Sequence, residues 1–247
     1  MTQTRVPKAA EILAQQLRQE ILAGQLGPGT GLWSEVELVA SSGFSRPTVR
    51  EAVRLLEAEG FLEIRRGRNG GISVREPDLQ LVSRSFAAML TIAGTPIRQL
   101  FEFRRLVEPA AAASAAQRAT PEQRAALVRA ASLGPADETA TGMVSFHELL
   151  TECTGNELLR IAMLSIHRAV SRHAPKESLT GDELHATNQA HSRIAKAIAD
   201  GDAERAEAAM RRHLVAFERI LKAQGRLDSP VIPPSSWAGV SAATEHY

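Results

Sequence analysis

The hydrophobic pattern of this chain changes its period twice, and this limits the folds that the chain can adopt. Up to Gly60, apolar residues recur at the three-to-four-residue spacing of helices. Residues 61–65 and 72–75 instead alternate around a glycine-rich stretch, 67–71, as in a β-hairpin. The helical pattern returns at Leu79 and continues through most of the remaining chain. The sequence therefore predicts a mainly α-helical protein with a two-stranded hairpin between two helical regions.

Three short helices are predicted before the hairpin. Ser34 followed by Glu37 is a capping box for the second helix, and Ser45 can cap the third. A tight connection at residues 41–44 joins these two helices. Three helices followed by a hairpin form the layout of a winged helix-turn-helix, which we predict for residues 1–76.

Hydroxyl and basic side chains stand at the two places where a winged helix contacts DNA. The 29 Lys and Arg nearly balance the 28 Asp and Glu, so a basic surface must be local. The third helix opens with Ser45, Arg46, Thr48 and Arg50, and the hairpin carries Arg65, Arg66 and Arg68. An arginine can donate two hydrogen bonds to guanine, and hydroxyls bind phosphates. A solvated surface is the alternative for any one charge run.

The run SEVELVASSGFSRPTVREAVRLLEAEGFLEIRRGRNGGISV closely resembles the DNA-binding domain of the GntR family of bacterial transcription regulators. The resemblance extends from Leu13 through Pro77. It implies that operator DNA, the double-stranded partner, is contacted at the recognition helix and the wing. The residues at the corresponding positions are Ser45, Arg46, Thr48, Arg50, Arg66 and Gly67.

Two positions depart from the family pattern. Val36 stands where family members usually carry a DNA-contacting arginine, and Pro47 stands where a small hydroxyl residue is common. Proline is sterically acceptable in the first turn of a helix. These departures favour an altered or weaker operator code over a loss of DNA binding.

Residues 77–225 are predicted to form an all-helical bundle. Three of its segments resemble the FCD-type ligand-binding domain of the FadR-like subgroup: LFEFRRLVEPAAAASAA, FHELLTECTGNELL and HSRIAKAIADGDAERAEAAMRRHL. The resemblance implies a homodimer whose operator affinity is modulated by a small carboxylated metabolite. Repressor is the commoner role in this family.

Three histidines, His147, His191 and His213, fall on three predicted helices. From the residues alone, surface or core histidines are the more common interpretation. The resemblance implies that they bind a divalent metal, and imidazole suits zinc or nickel. Met143 occupies the position of the family's aspartate ligand, and a thioether is a poor ligand for such an ion. The alternatives are a three-histidine site or a site without metal.

Arg104 resembles the arginine that lies near the effector in this subgroup. Its guanidinium suits a carboxylate. An ion pair with Glu108, one helical turn away, is the alternative interpretation.

The expected function is a ligand-responsive, DNA-binding transcription regulator and not an enzyme. One alternative is a regulator whose effector is the metal itself. Another is a three-histidine hydrolase with Glu148 or Glu152 as the base.

The chain has one cysteine, Cys153, which excludes an intramolecular disulfide and a multi-cysteine metal site. There is no apolar stretch of signal-peptide length at the start and no membrane-spanning run, so a cytoplasmic protein without a membrane partner is expected. Residues 226–247 are rich in proline and serine and are expected to be a poorly ordered tail.

Overall fold

The computed structural model describes residues 8–24, 26, 34–65, 71–75, 79–132, 141–173 and 179–237, without the side chains of 132 and 141–145. These residues form ten α-helices and one antiparallel pair of strands. The helices are α1 (Ala9–Leu22), α2 (Glu35–Ser42), α3 (Arg46–Ala58), α4 (Leu79–Ile92), α5 (Ile97–Arg118), α6 (Pro121–Ser132), α7 (Thr141–Glu152), α8 (Glu157–His173), α9 (Gly181–Ala199) and α10 (Ala203–Ala223). The strands are β1 (Leu62–Arg65) and β2 (Gly71–Val74), and a short 3₁₀ helix covers Pro234–Trp237. The predicted fold class, a winged helix-turn-helix followed by an all-helical domain, is confirmed.

The chain divides into two compact units, Met1–Leu81 and Val82–Tyr247. In the first unit, α1, α2, α3 and the hairpin enclose one apolar core. Leu62 of β1 lies opposite Val74 of β2, and both are buried in that core. The amphipathic third helix contributes Val49, Val53 and Leu56 to the same core, which leaves its polar face exposed. The limits 1–76, 77–225 and 226–247 assigned to the domains and the tail stay predictions.

In the second unit, α5 packs against α9 and α10. The alanine-rich run of α5 is buried at Ala111, Ala112, Ala115 and Ala116, and such small side chains let helices approach closely. Cys153 is buried in the same cluster, and burial raises the pKa of its thiol to about 11. The thiol is therefore protonated at neutral pH and acts as a small apolar group.

Residues 226–237 differ from the poorly ordered tail expected from composition. Val231 and Ile232 are buried against Phe101 and Phe217. The backbone is paired as well, since the Val231 amide donates to the Thr95 carbonyl at 2.8 Å. Burial of these apolar side chains and pairing of backbone donors oppose the entropic cost of ordering the segment. Residues 238–247 lie outside the described residues.

The substitution Ile232→Val is expected to destabilise the protein. Ile232 is 0% exposed, so loss of one methylene leaves a small cavity that costs about 0.5–1.5 kcal/mol of unfolding free energy. Urea unfolding followed by circular dichroism measures this cost. Ile161→Val, at a position 37% exposed, is the control and should change stability by less than about 0.5 kcal/mol. Equal stability of Ile232→Val and the wild type would contradict the packed C-terminal segment.

Candidate DNA-reading helix and candidate metal centre

Local capping interactions determine where α2 and α3 begin and how they are joined. The Ser34 hydroxyl accepts a hydrogen bond from the Glu37 amide at 3.2 Å, and the Glu37 carboxylate accepts one from the Ser34 amide at 2.7 Å. Gly43 ends α2 with φ of 71°, a left-handed conformation that favours glycine. Ser45 caps α3, and Pro47 lies in its first turn, as the sequence predicted.

The recognition-helix residues predicted from the sequence lie together at the N-terminal end of α3. Ser45, Arg46 and Arg50 are exposed, and Thr48 is half-buried. The Ser45 and Thr48 hydroxyls lie 2.8 Å apart and bond to each other. The side chains of Arg46 and Arg50 are 59% and 60% exposed. This end of α3 therefore offers two accessible cationic side chains.

Both arginines contact one acid that the sequence analysis did not single out. The Glu35 carboxylate lies 3.0 Å from Arg46 Nε through Oε1 and 2.8 Å from Arg50 Nε through Oε2. Glu35 directly follows the Ser34 cap, and this position in the first turn of α2 is the sequence feature that could have indicated it. Val36 is exposed beside it. Arg66 and Gly67, the predicted wing contacts, lie outside the described residues.

The three predicted metal-ligating histidines come together inside the second unit. His147 of α7, His191 of α9 and His213 of α10 are all buried, and one nitrogen of each lies within 4.8 Å of the other two. The Phe146 ring stacks on His191 with centroids 4.2 Å apart. The three histidines are spread over 66 positions of the sequence, and the packing of α7, α9 and α10 brings them together.

Burial keeps these imidazoles in the neutral form. It lowers the pKa of His191 and of His213 well below the ordinary value, and the neighbouring histidines lower both further. Burial also lowers the pKa of His147, although the Glu108 carboxylate opposes this shift. A neutral imidazole carries one unprotonated ring nitrogen, and this is the form that binds a metal ion.

The donor set fits zinc or nickel. His191 Nε2 is buried and has no hydrogen-bond partner, an arrangement that costs free energy unless a ligand or ion satisfies the nitrogen. Three imidazoles leave coordination positions open for water or a ligand. Met143 belongs to α7, but its side chain lies outside the described part of the structure.

Arg104 lies beside this cluster and is already paired with Glu108. Arg104 Nε donates to Glu108 Oε1 at 2.6 Å, so the ion pair considered as the alternative is present. A second nitrogen, Nη2, lies 3.1 Å from His147 Nε2. The guanidinium also lies over the Phe101 ring, 5.2 Å from its centroid. Arg104 Nη1 has no hydrogen-bond partner among the described residues and can donate to a further acceptor.

Glu108 is the centre of a buried polar network. Its side chain is 0% exposed, and its carboxylate also lies 3.0 Å from His147 Nδ1 and 3.4 Å from His167 Nε2. Burial alone would raise the pKa of Glu108, but Arg104 and His147 outweigh it and hold this pKa well below the usual range. The carboxylate is therefore charged and orients both the arginine and a histidine of the cluster.

Sequence reasoning missed His167. It lies on α8 with the buried residues Met163, Leu164 and Ala169, and its Nδ1 has no hydrogen-bond partner. Its position on the apolar face of α8, one turn after Met163, is the sequence feature that could have indicated a buried histidine. Of the two acids considered for a hydrolase, Glu148 lies 3.8 Å from Arg168 and Glu152 is exposed at the end of α7.

Residues 9–72 match the model of the family described as bacterial regulatory proteins, gntR family, and residues 99–216 match the FCD domain. A Klebsiella aerogenes protein named HTH-type transcriptional repressor NanR is 30% identical over 229 residues, covering 89% of this chain and 87% of that protein. The chain belongs to the GntR family and carries an FCD domain.

Two further comparisons agree with this family. A Salmonella newport protein, also named HTH-type transcriptional repressor NanR, is 31% identical over 232 residues, covering 89% of this chain and 87% of that protein. The solved structure of Streptococcus agalactiae GntR is 26% identical with a TM-score of 0.63, covering 85% of this chain and 99% of that one. This GntR-family chain is therefore a DNA-binding transcription regulator with a ligand-binding domain.

None of the described helices is both long and apolar enough to cross a membrane.

Proposed function

We propose that this GntR-family chain is a homodimeric repressor whose operator affinity is controlled by a small carboxylate bound beside a three-histidine metal ion. The observation that carries the proposal is the convergence of three buried, neutral imidazoles next to a half-buried arginine. The role of repressor is supported by the names of the relatives from Klebsiella aerogenes and Salmonella newport, both HTH-type transcriptional repressor NanR.

The chemistry of the site favours a carboxylate. An ion held by His147, His191 and His213 would keep open positions that a carboxylate oxygen can occupy. Arg104 is only 14% exposed and has one nitrogen available for a second oxygen of the same group. A carboxylate that joins the ion to the arginine is favoured over a neutral ligand because both partners are cationic.

The DNA-reading role is assigned to the N-terminal end of α3. Arg46 and Arg50 lie on successive turns of one exposed helix face, which is the arrangement that reaches base edges in the major groove. Ser45 and Thr48 are assigned to phosphate contacts, and Arg66 and Gly67 of the wing stay predictions.

The homodimer is supported by an apolar surface of α4. The side chains of Val82, Phe86, Met89 and Ile92 are exposed, and their spacing places them within one broad arc of the helix. Exposed apolar patches mark sites of protein–protein interaction, and a subunit interface would bury this one. A two-fold dimer would present two recognition helices to a near-palindromic operator.

The effector would act by shifting the population of two arrangements of the dimer. It can change operator affinity only by as much as its own affinity differs between those arrangements.

Two steps test the whole proposal. The purified protein first selects the genomic DNA fragments that it binds, and a panel of carboxylates is then tested for release of those fragments. With zinc present, we expect one carboxylate to weaken binding to a selected fragment by at least about fivefold. The same carboxylate should have no effect on protein treated with a chelator. Release by zinc without any carboxylate would instead identify the metal as the effector. Failure to select any fragment would contradict the DNA-reading assignment.

A further inference from the structure

We infer that Glu35 sets operator specificity by holding Arg46 and Arg50 in the orientation that reads DNA. This inference rests on the proposed DNA contacts of the two arginines. Glu35 itself is a positioning residue, because its carboxylate acts on the arginines.

The geometry joins three side chains from two helices. Glu35 lies in the first turn of α2, while Arg46 and Arg50 lie on the first two turns of α3. The carboxylate contacts both arginines, since Oε2 accepts a hydrogen bond from Arg50 Nε at 2.8 Å and Oε1 forms an ion pair with Arg46 Nε at 3.0 Å, without a hydrogen bond. Glu35 is 28% exposed, whereas the arginine side chains are more than half exposed. The acid therefore lies at the base of the arginines and their far ends extend into solvent.

The atoms that Glu35 contacts decide what remains available for DNA. An arginine has five N–H donors, and Nε lies on the side of the guanidinium nearest the aliphatic stem. Contact at Nε leaves the two terminal amino groups, Nη1 and Nη2, without a hydrogen bond to the described residues. These two groups form the edge that donates in bidentate fashion to O6 and N7 of guanine.

The same carboxylate opposes binding to DNA of any sequence. It places a negative charge beside the two cations assigned to DNA contact, and attraction to phosphates supplies most of the sequence-independent affinity. The first turn of α2 contains the acids Glu35 and Glu37 and, with Val36 exposed between them, no basic residue. Glu37 accepts hydrogen bonds from Ser34, which leaves Glu35 as the acid directed at α3.

Glu35 therefore has two effects that substitutions can separate. Glu35→Gln removes the charge and keeps the length of the side chain. Glu35→Asp keeps the charge but is one methylene shorter, so it cannot contact both arginines as Glu35 does. If orientation of the arginines determines specificity, both variants lose it. If only the charge matters, Glu35→Asp resembles the wild type.

The experiment uses a short duplex that the wild-type protein selects from a random pool and an unrelated duplex of equal composition. Fluorescence anisotropy measures the dissociation constant for each, and their ratio is the readout. We expect the ratio to fall about tenfold in both Glu35 variants, the loss of roughly one base-specific contact. Only Glu35→Gln should bind the unrelated duplex more tightly than the wild type does, by roughly two- to threefold.

Glu51→Gln is the matched control, because Glu51 is exposed on α3 and its loss changes the net charge by the same amount. It should keep the wild-type ratio, and all variants should keep the wild-type helical circular dichroism. A wild-type ratio in Glu35→Asp, or in both Glu35 variants, would overturn the inference while leaving the DNA contacts intact. An unchanged ratio in Arg46→Ala and Arg50→Ala would overturn the proposed contacts and this inference together.

Discussion

Replacing His213 with alanine is expected to abolish the binding of a divalent metal ion by this protein. Wild-type protein should contain about one zinc or nickel ion per chain, because three imidazoles on three helices converge on one point. Two remaining histidines cannot hold the ion as tightly, and the ion is then lost during dialysis. Plasma mass spectrometry of dialysed protein measures the metal content directly.

Metal loss should also lower thermal stability, since the ion binds only the folded arrangement of α7, α9 and α10. An ion present at 1,000 times its dissociation constant stabilises a protein by about 4 kcal/mol. For a unit of this size that corresponds to a fall of roughly 8–16 °C in the melting temperature when a chelator is added to wild-type protein. The melting temperature of His213→Ala should not respond to the chelator.

His185→Ala is the matched control for the metal experiment. His185 lies on α9, as His191 does, but it is exposed and its ring bonds to Gln189 at 2.8 Å. This variant should keep both the metal and its response to the chelator. Wild-type protein that contains no metal and melts at the same temperature with and without chelator would contradict the site, and Arg104 would then be the main anchor for an effector.

Replacing Arg50 with alanine is expected to weaken binding to a selected operator by about 5- to 150-fold, the effect of losing one bidentate arginine–guanine contact. Binding to unrelated DNA should weaken far less, because it depends on total charge and not on the contact with one base. Anisotropy titrations with both duplexes at one salt concentration distinguish these effects.

Arg54→Ala is the control for this measurement. Arg54 is exposed one helical turn after Arg50, farther from the N-terminal end of α3, and its loss changes the net charge equally. Its substitution should reduce binding to the two duplexes by similar factors. Equal losses on both duplexes for Arg50→Ala would identify Arg50 as a phosphate contact and contradict its role in reading bases.

The DNA-reading unit could be predicted closely because its signals are local. Ser34, Gly43 and Ser45 act on backbone groups within a few residues of themselves, and the alternation in the hairpin requires no knowledge of the rest of the chain. The contact of Glu35 with Arg50 could not be predicted from the same signals. It depends on the angle between α2 and α3, which the packing of buried side chains determines.

The histidine cluster could be predicted in part. The resemblance to the FCD domain singled out His147, His191 and His213, and the structure brings them together. His167 and the buried position of Glu108 were not predicted, because α8 carries no motif and the environment of a carboxylate depends on the helices around it. The free energy of a buried charge depends on such distant neighbours.

The sequence by itself determined the order of the elements, the start of α3 and the family, because these depend on residues that are neighbours along the chain. Only the tertiary structure decided that residues 226–237 are packed, that Arg104 shares Glu108 with two histidines, and that Glu35 contacts two arginines. The physical reason is the same in all three cases. Apolar burial and ion pairing depend on which groups exclude water from one another, and those groups lie on elements that meet only when the chain folds.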